Sequence, residues 1–437
     1  VRVLVLDEQD APGGQIYKAV ERVKDGPPEM LAALGPDYAA GHALARRFRD
    51  SGATYWPGAT AWHLTEQRLL WVSTGQGSVP VRSRVVMLAT GAMERPVPLP
   101  GWTLPGVFTA GSLQSLMKSS GLVPGGRTVF VGSGPLLYLV AGQCIELGAK
   151  PVALIETAPR LPSLGALRHL PRALTGDGPR MLAKGLAMRR RLRRAKVPIF
   201  AGASDIAIEG RDAAEAVTFR YRGIGKTFRC EVVALHEGVI PTMQFARLIG
   251  CDLAWNPRQR CFEPVVDEYG NSSIDGVMIV GDGASIEGAV AAECRGELAA
   301  WEALRQLGRV SAGERDRRSA GALRRRAAQR AIRPLLDALY PPPASILTPR
   351  DGTIVCRCEE ITAGQIRHAV TQGVRGSDQL KGATRCGMGP CQGRLCGPVV
   401  AEIIAAETGL AVSEVGLFRV RVPLKPITMG ELAAVGG

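Results

Sequence analysis

Five of the ten cysteines fall between Cys356 and Cys396, in "VCRCEE" and "TRCGMGPCQGRLC". Cys356 and Cys358 stand one residue apart, Cys391 and Cys396 are separated by four, and the chain between the pairs is long enough for helices. Two cysteine turns brought together by short helices place four thiolates around one site. Thiolates are soft ligands that suit iron–sulfur clusters or zinc. Structural zinc usually takes pairs with wider spacing than C-x-C. The glycines and main-chain N–H groups of "GMGPCQGRLCG" suit hydrogen bonding to sulfide, and Arg357, Arg385 and Arg394 partly offset a cluster's negative charge. An iron–sulfur centre is therefore the expectation, with zinc and disulfides as the alternatives. The other five cysteines (144, 230, 251, 261 and 294) are isolated, which suits a reducing, cytoplasmic compartment better than disulfides.

A second group of residues suits nucleotide phosphates. "VGSGP" offers Gly132 and Gly134 between a strand and a helix, where close backbone approach and a helix N-terminus favour a pyrophosphate. Leu137 stands where a third glycine is usual. Glu156, at the end of the strand that follows this helix, is placed to meet a ribose. A unit of this shape that holds no nucleotide is the competing reading. Three more loops are built alike. They are "LDEQDAPGGQIY" with Asp7, Glu8, Gly13, Gly14 and Gln15, "LATGAMERP" with Thr90 and Gly91, and "IVGDGASIEGA" with Gly281 and Asp282. Each alone can be a mere turn.

Strands and helices must position these loops. Residues 1–6 and 84–91 read as apolar strands. Residues 127–156 read as strand, loop, helix and strand, a βαβ unit that implies a parallel sheet. Residues 161–200 look helical and basic, 203–235 hold several strands, and 289–307 read as a helix. In "ITAGQIRHAVTQG", Thr362 and Gln365 form a capping box and Gly373 ends the helix. The proline stretch "PPPASILTP" marks a domain boundary.

Composition narrows the function. A chain of 437 residues with 46% hydrophobic and 22% charged residues is globular and long enough for two or three domains. No apolar run reaches the roughly 18 residues of a membrane span. The 54 basic and 40 acidic residues leave a net charge of +14, much of it in "MRRRLRRAK" and "ERDRRSAGALRRRAAQR". Solvated helix faces are the plain reading of these runs, and an acidic partner is the sharper one. Nucleic acid is not expected, because no aromatic residues interleave with the arginines. No nucleophilic His/Asp/Ser constellation presents itself. The absence of CxxC from residues 1–310 argues against a thioredoxin-reductase-like dithiol. His236, in "LHEGVIPT", reads as structural.

The three glycine loops in this order, around an inserted βαβ unit, resemble two-dinucleotide flavoproteins. That resemblance implies that Asp7 or Glu8 holds the adenosine ribose of FAD. It implies that Gly13, Gly14 and Gln15 pass the flavin, that Thr90 and Gly91 return the chain, and that Gly281 and Asp282 meet the ribityl chain. The first strand and its GxGxxG are expected to precede Val1, by about thirty residues for one βα unit, and a chain starting at Val1 is expected to hold FAD poorly. "CRCEE" and "TRCGMGPCQGRLC" resemble the bacterioferritin-associated-ferredoxin type of [2Fe–2S] domain, with Cys356, Cys358, Cys391 and Cys396 at the ligand positions and Cys386 able to displace one of them.

Together with "ATGAMERPVPLPGWTLPGVFTAGSLQSLMK" and "RVRVPLKPITMGELA", these motifs resemble the α subunits of multimeric opine oxidases. The same group holds α subunits of proline and hydroxyproline dehydrogenases and the matching subunit of hydrogen cyanide synthase. The resemblance covers nearly the whole chain. "NSSID", where an "RTS"-like turn is common, Leu137 and the missing start depart from the pattern.

The implied fold is α/β, a nested two-dinucleotide flavoprotein with a small helical [2Fe–2S] domain. The FAD domain is expected at 1–119 and 272–310, the NAD(P)-type domain at 120–271, a basic helix and linker at 311–350, and the cluster domain with its tail at 351–437. The implied role is electron transfer through FAD and [2Fe–2S], with room for NAD(P) or another nucleotide and for FMN at a subunit interface. The implied partners are an amine-oxidising flavoprotein β subunit, a respiratory acceptor and a small ferredoxin-like subunit, which would seat a cytoplasmic complex peripherally at the inner membrane. A self-sufficient NAD(P)H-dependent reductase and a scaffold subunit without a working flavin are the alternatives.

Overall fold

The computed structural model describes residues 1–433 and 435. Its most regular part is a five-stranded sheet whose pairings are all parallel. Three of its strands, Thr128–Ser133, Pro151–Glu156 and Val232–Glu237, are buried almost throughout, as the near-continuous apolar runs of a two-sided parallel sheet require. The helix Pro135–Glu146 makes the crossover, and Leu137 lies fully buried in the core with Phe130 and Leu154. A third glycine would leave that core position empty, so Leu137 is explained by packing.

The edge strand Val107–Thr109 pairs in parallel with Val233–Leu235, and the helix Ala110–Ser120 packs Leu113 and Met117 into the same core. Residues 107–119 therefore belong to the second unit, although the sequence pattern places them in the first. The opposite correction applies to residues 244–251. Ala246, Ile249 and Cys251 pack with Leu64, Val86 and Val277, so they belong to the first unit. The strand Ala92–Glu94 pairs antiparallel with Val239–Pro241, and the chain passes between the units at these two strands. Hydrophobic periodicity cannot show this exchange, because it depends on pairings between strands far apart in the chain.

The first unit contains two parallel pairs, Leu4–Leu6 with Thr54–Trp56 and Val86–Leu88 with Val277–Ile279. A three-stranded antiparallel sheet, Thr60–Leu64, Leu69–Ser73 and Ser78–Arg82, completes it. The helices Ala289–Gln306 and Ala312–Arg330 lie side by side. Here the plain reading of the basic run holds for Arg317, Arg318 and Arg324, which are exposed, but not for the arginines that reach buried carboxylates. Glu287 is buried, accepts from Arg295 at 2.9 Å and Arg326 at 2.8 Å, and is ion-paired with Arg330 at 3.1 Å. Glu302 likewise holds Arg305 and Arg315. Of these, Arg315, Arg326 and Arg330 staple Ala312–Arg330 to the neighbouring segment, while Arg295 and Arg305 lie on the same helix as Glu302.

The cluster-type domain has its own core of Ile366, Leu380, Val400, Ile403, Ile404 and Phe418. The capping box of Thr362 and Gln365 is present as expected. No helix among the described residues is long and apolar enough to cross a membrane.

Burial would raise Glu287, but hydrogen bonds from Arg326 and Arg295 hold it at about 2, against an ordinary 4.5. Its stabilisation is thus present above the ordinary value and is lost as pH falls towards about 2. Glu287→Gln should cost about 3–5 kcal/mol, because it strands Arg295 and Arg326 in the interior. Urea unfolding at neutral pH measures this, and the gap between variant and parent should narrow in acid.

Candidate functional site

One cavity of about 4020 Å³ lies between the two units, several times the roughly 300–1,000 Å³ of an ordinary small-molecule site. Asp7, Glu8, Gly13, Gly14, Gln15, Thr90, Gly91, Gly281 and Asp282 all line it. Loops far apart in sequence thus reach one space. Asp7 accepts from the Gln9 N–H at 2.9 Å and from the Tyr55 hydroxyl at 3.3 Å, so it is engaged with its own chain. Glu8 is more exposed and pairs with Lys425 of the C-terminal tail at 3.0 Å. Lys118 donates to the carbonyls of Gln15 at 3.2 Å and Ile16 at 2.9 Å, which fixes the glycine loop. Burial lowers this ammonium to about 8. Asp282 accepts from the N–H groups of Glu287 at 3.0 Å and Gly288 at 3.2 Å, where the helix Ala289–Gln306 begins.

The second loop is divided. Gly134 caps the helix Pro135–Glu146 and faces the cavity. Gly132 stands opposite Glu156 in the sheet and packs on the neighbouring strand, where a Cβ would collide with the His236 carbonyl. Its glycine is demanded by strand packing. Glu156 is buried away from the cavity, with the Arg189 guanidinium at 3.8 Å, and burial raises its carboxyl above the usual range. His236, which reads as structural from the sequence, has a partner that the sequence does not reveal. Its Nδ1 lies 2.7 Å from Glu94, both line the cavity, and the other Glu94 oxygen accepts from the Gly111 N–H at 2.8 Å. The Glu94 of "GAMERP" is the only hint, and nothing local connects it to residue 236.

The five clustered cysteines fall into two groups, three sulfurs and a pair. The sulfurs of Cys356, Cys386 and Cys396 lie within 4.8 Å of one another, and those of Cys358 and Cys391 are 3.8 Å apart. Cys356, Cys386 and Cys396 are buried, Cys391 is partly so and Cys358 is exposed. The Cys386 and Cys396 thiols, then the N–H groups of Gly387 and Glu359, favour the Cys356 thiolate and pull it far below the ordinary thiol range. Phe418, fully buried, fills the space beneath the second turn, and a Cβ on Gly393 would run into its ring. A Cβ on Gly389 would likewise collide with the Cys358 side chain. A soft, glycine-cushioned set of sulfurs fits an iron–sulfur cluster.

The cluster loop is also part of the cavity wall, because Arg394 and Leu395, between Cys391 and Cys396, line it. Contacts between domains hold it there. Arg260 donates to Glu402 through Nε at 2.8 Å and through a second nitrogen. Trp102 Nε1 donates to the Ile354 carbonyl at 2.7 Å, and the Arg357 guanidinium covers the Trp102 ring. The tail crosses back, with the Leu424 N–H donating to the Trp62 carbonyl at 2.8 Å and Gln392 donating to the Pro423 carbonyl at 2.6 Å.

Residues 1–297 match the pyridine nucleotide-disulphide oxidoreductase family, and residues 354–406 match the BFD-like [2Fe-2S] binding domain. Over 99% of its length the chain is 45% identical to the A subunit of opine oxidase from Rhizobium meliloti (strain 1021), spanning 93% of that protein. This chain belongs to the family of opine oxidase A subunits. It is also 30% identical, over its whole length and 94% of the other, to hydrogen cyanide synthase subunit HcnB of Pseudomonas aeruginosa. L-Proline dehydrogenase from P. horikoshii shares the fold at a TM-score of 0.68 and 18% identity, over 99% of this chain and 74% of that one. A member of this family is an FAD-dependent oxidoreductase with a [2Fe–2S] domain, as the loops around the cavity and the five sulfurs suggest. The clustered thiols suit an iron–sulfur cluster by their chemistry, and the cavity lined by the glycine loops is large enough for a dinucleotide.

Gly389→Ala should lower iron content by about half or more, since a shift of about 1 Å is enough to loosen a metal site. Gly382→Ala is the control, because a Cβ there meets nothing within 4 Å. Iron analysis of both purified variants distinguishes close approach from general damage to the domain.

Proposed function

We propose that this chain is the electron-transfer subunit of a multimeric dehydrogenase or oxidase whose partner, an amine-oxidising flavoprotein β subunit, oxidises the C–N bond of an amino acid or opine. When bound, FAD accepts an electron pair and [2Fe–2S] passes single electrons, and together they serve a respiratory acceptor. The carrying observation is that Arg394 and Leu395 of the cysteine loop line the same cavity as Gly281 and Asp282. Carriers held against a common wall need no mobile intermediary. The relatives support a multisubunit setting, since their names designate subunits.

The chain's own residues have separable tasks in this reading. Glu8, freer than Asp7, meets the adenosine ribose. Gly13, Gly14, Gln15, Thr90 and Gly91 allow close backbone approach, and Lys118 keeps the glycine loop in place. Asp282 orients the N-terminal turn of Ala289–Gln306 toward the cavity, where its N–H groups favour negative charge. Cys356, Cys358, Cys391 and Cys396 are the cluster ligands, with Cys386 as a fifth, buried sulfur. A small ferredoxin-like subunit, FMN at a subunit interface and a peripheral seat at the inner membrane complete the complex.

Self-sufficient NAD(P)H oxidation is the second reading, and Gly134 on the cavity wall favours it. Glu156 weighs against it, because its carboxylate faces Arg189 inside the protein. Gly132, Gly134 and Glu156 then mark a Rossmann-like unit that serves another nucleotide or none.

Iron, acid-labile sulfide and flavin assays on one preparation test the proposal. The expected result is about two irons and two sulfides per chain with up to one flavin, and no bleaching of that flavin by NADPH or NADH. Cys356→Ser and Cys396→Ser should lose the iron, and Cys386→Ser should keep it. Loss in Cys386→Ser with retention in Cys396→Ser would move the fourth ligand to Cys386. Zinc in place of iron would end the electron-transfer reading.

A further inference from the structure

Residues 160–196 carry eleven arginines and lysines against the single acid Asp177, a net +10 of the chain's +14. No carboxylate occurs from 157 to 176. Arg160, Arg168, Arg172, Arg190, Arg193 and Arg194 are exposed. Among the described residues none of these six forms an ion pair, unlike the arginines of Ala312–Arg330 that hold Glu287 and Glu302.

Amid this charge the apolar pattern is inverted. The one-turn helices Leu164–Leu167 and Leu170–Ala173 bury their alanines, Ala166 and Ala173, against Ile332 and Leu335. Their leucines face outward. Leu161 is 77% exposed, Leu164 86% and Leu174 56%, with Leu167 and Leu170 exposed beside them. Folding of an isolated chain would bury the large side chain and expose the small one. Both helices turn their alanines to one apolar group, so their leucines look away from the same body and share a side. Exposed leucines in this number on one short stretch mark a contact surface.

The chemistry of the face selects its occupant. It offers aliphatic side chains, guanidinium groups and the His169 imidazole, with no Phe, Tyr or Trp ring and no carboxylate. Protein interfaces are anchored by aromatic residues in pockets and rimmed by mixed polar groups. Leucines that enter an acyl boundary, with arginines at phosphate level, are the pattern of an interfacial amphipathic segment. We propose that residues 160–174, together with the unpaired Arg190, Arg193 and Arg194 of Gly178–Arg194, seat this subunit directly on an anionic phospholipid surface. This goes beyond a membrane link made only through other subunits, and it does not depend on the electron-transfer reading.

The test is sedimentation of the purified full chain with vesicles of phosphatidylcholine alone, and with about one third phosphatidylglycerol. Binding is expected only to the anionic vesicles, and it should weaken as salt rises. Leu161→Ser/Leu164→Ser/Leu174→Ser should reduce the bound fraction by about tenfold, with unchanged iron, flavin and circular dichroism. Ile224→Ser, similarly exposed but on the separate hairpin Ala216–Arg229, should leave binding intact. Arg168→Gln/Arg172→Gln should weaken binding and flatten its salt dependence. No binding to anionic vesicles, equal binding to both compositions, or full binding by the triple leucine variant would overturn the proposal. So would a wild-type chain that ignores vesicles while the triple leucine variant fails to assemble with a co-expressed partner subunit, since the face would then be a subunit interface.

Discussion

The architecture depends on the docking of a small, self-cored cysteine domain against the cavity between two nucleotide-type units. One ion pair stands at its centre. Glu402 is buried on the helix Gly397–Thr408, directly after the last clustered cysteine, and Arg260 holds it through two N–H groups. A buried carboxylate without its guanidinium would cost several kcal/mol, so this contact fixes position more than it adds stability. Arg95 extends the connection. It is buried and donates to the main-chain carbonyls of Glu237, Arg260 and Gln259, so the second unit, the Arg260 turn and the cysteine domain share one charged scaffold. Trp102 and the tail around Leu424 close the other sides. Any electron-transfer role rests on this scaffold, since it sets where the sulfurs stand relative to the cavity.

Local chemistry was legible in the sequence, and long-range pairing was not. The capping box at Thr362, the βαβ unit at 127–156 and the grouping of the cysteines follow from spacing alone, and the structure contains all three. The loops at Gly13, Thr90 and Gly281 are each weak signals, but their order identifies a common cavity. The exchange of segments between the units is invisible to patterning because strand partners distant in the chain leave no periodic trace. For the same reason the His236–Glu94 pair and the Arg260–Glu402 pair could not be read. The resemblance leaves Cys386 as an optional fifth sulfur, and the structure packs it against Cys356 and Cys396. Phe418 explains glycines that sulfide hydrogen bonding alone had been asked to explain.

The arginine runs show why composition underdetermines placement. Both runs are dense in charge and helical. One lies along Ala289–Gln306, where Arg315, Arg326 and Arg330 reach the buried Glu302 and Glu287 and act as structural ties. In the other, carried by Gly178–Arg194, Arg189 and Arg191 pair with Glu156 and Glu146, while Arg190, Arg193 and Arg194 point to solvent. Net charge alone cannot separate these cases, and the positions of Glu287 and Glu302 do.

The central claim is that FAD and the cysteine-bound cluster exchange electrons directly across one cavity wall. The most direct measurement is flash photoreduction of the flavin in the anaerobic holoprotein, with the cluster's visible absorbance followed in time. Bleaching of the cluster that tracks decay of the reduced flavin, at a rate independent of protein concentration, is the predicted result. A cluster that stays oxidised, or one reduced only at a rate that rises with protein concentration, would contradict the account.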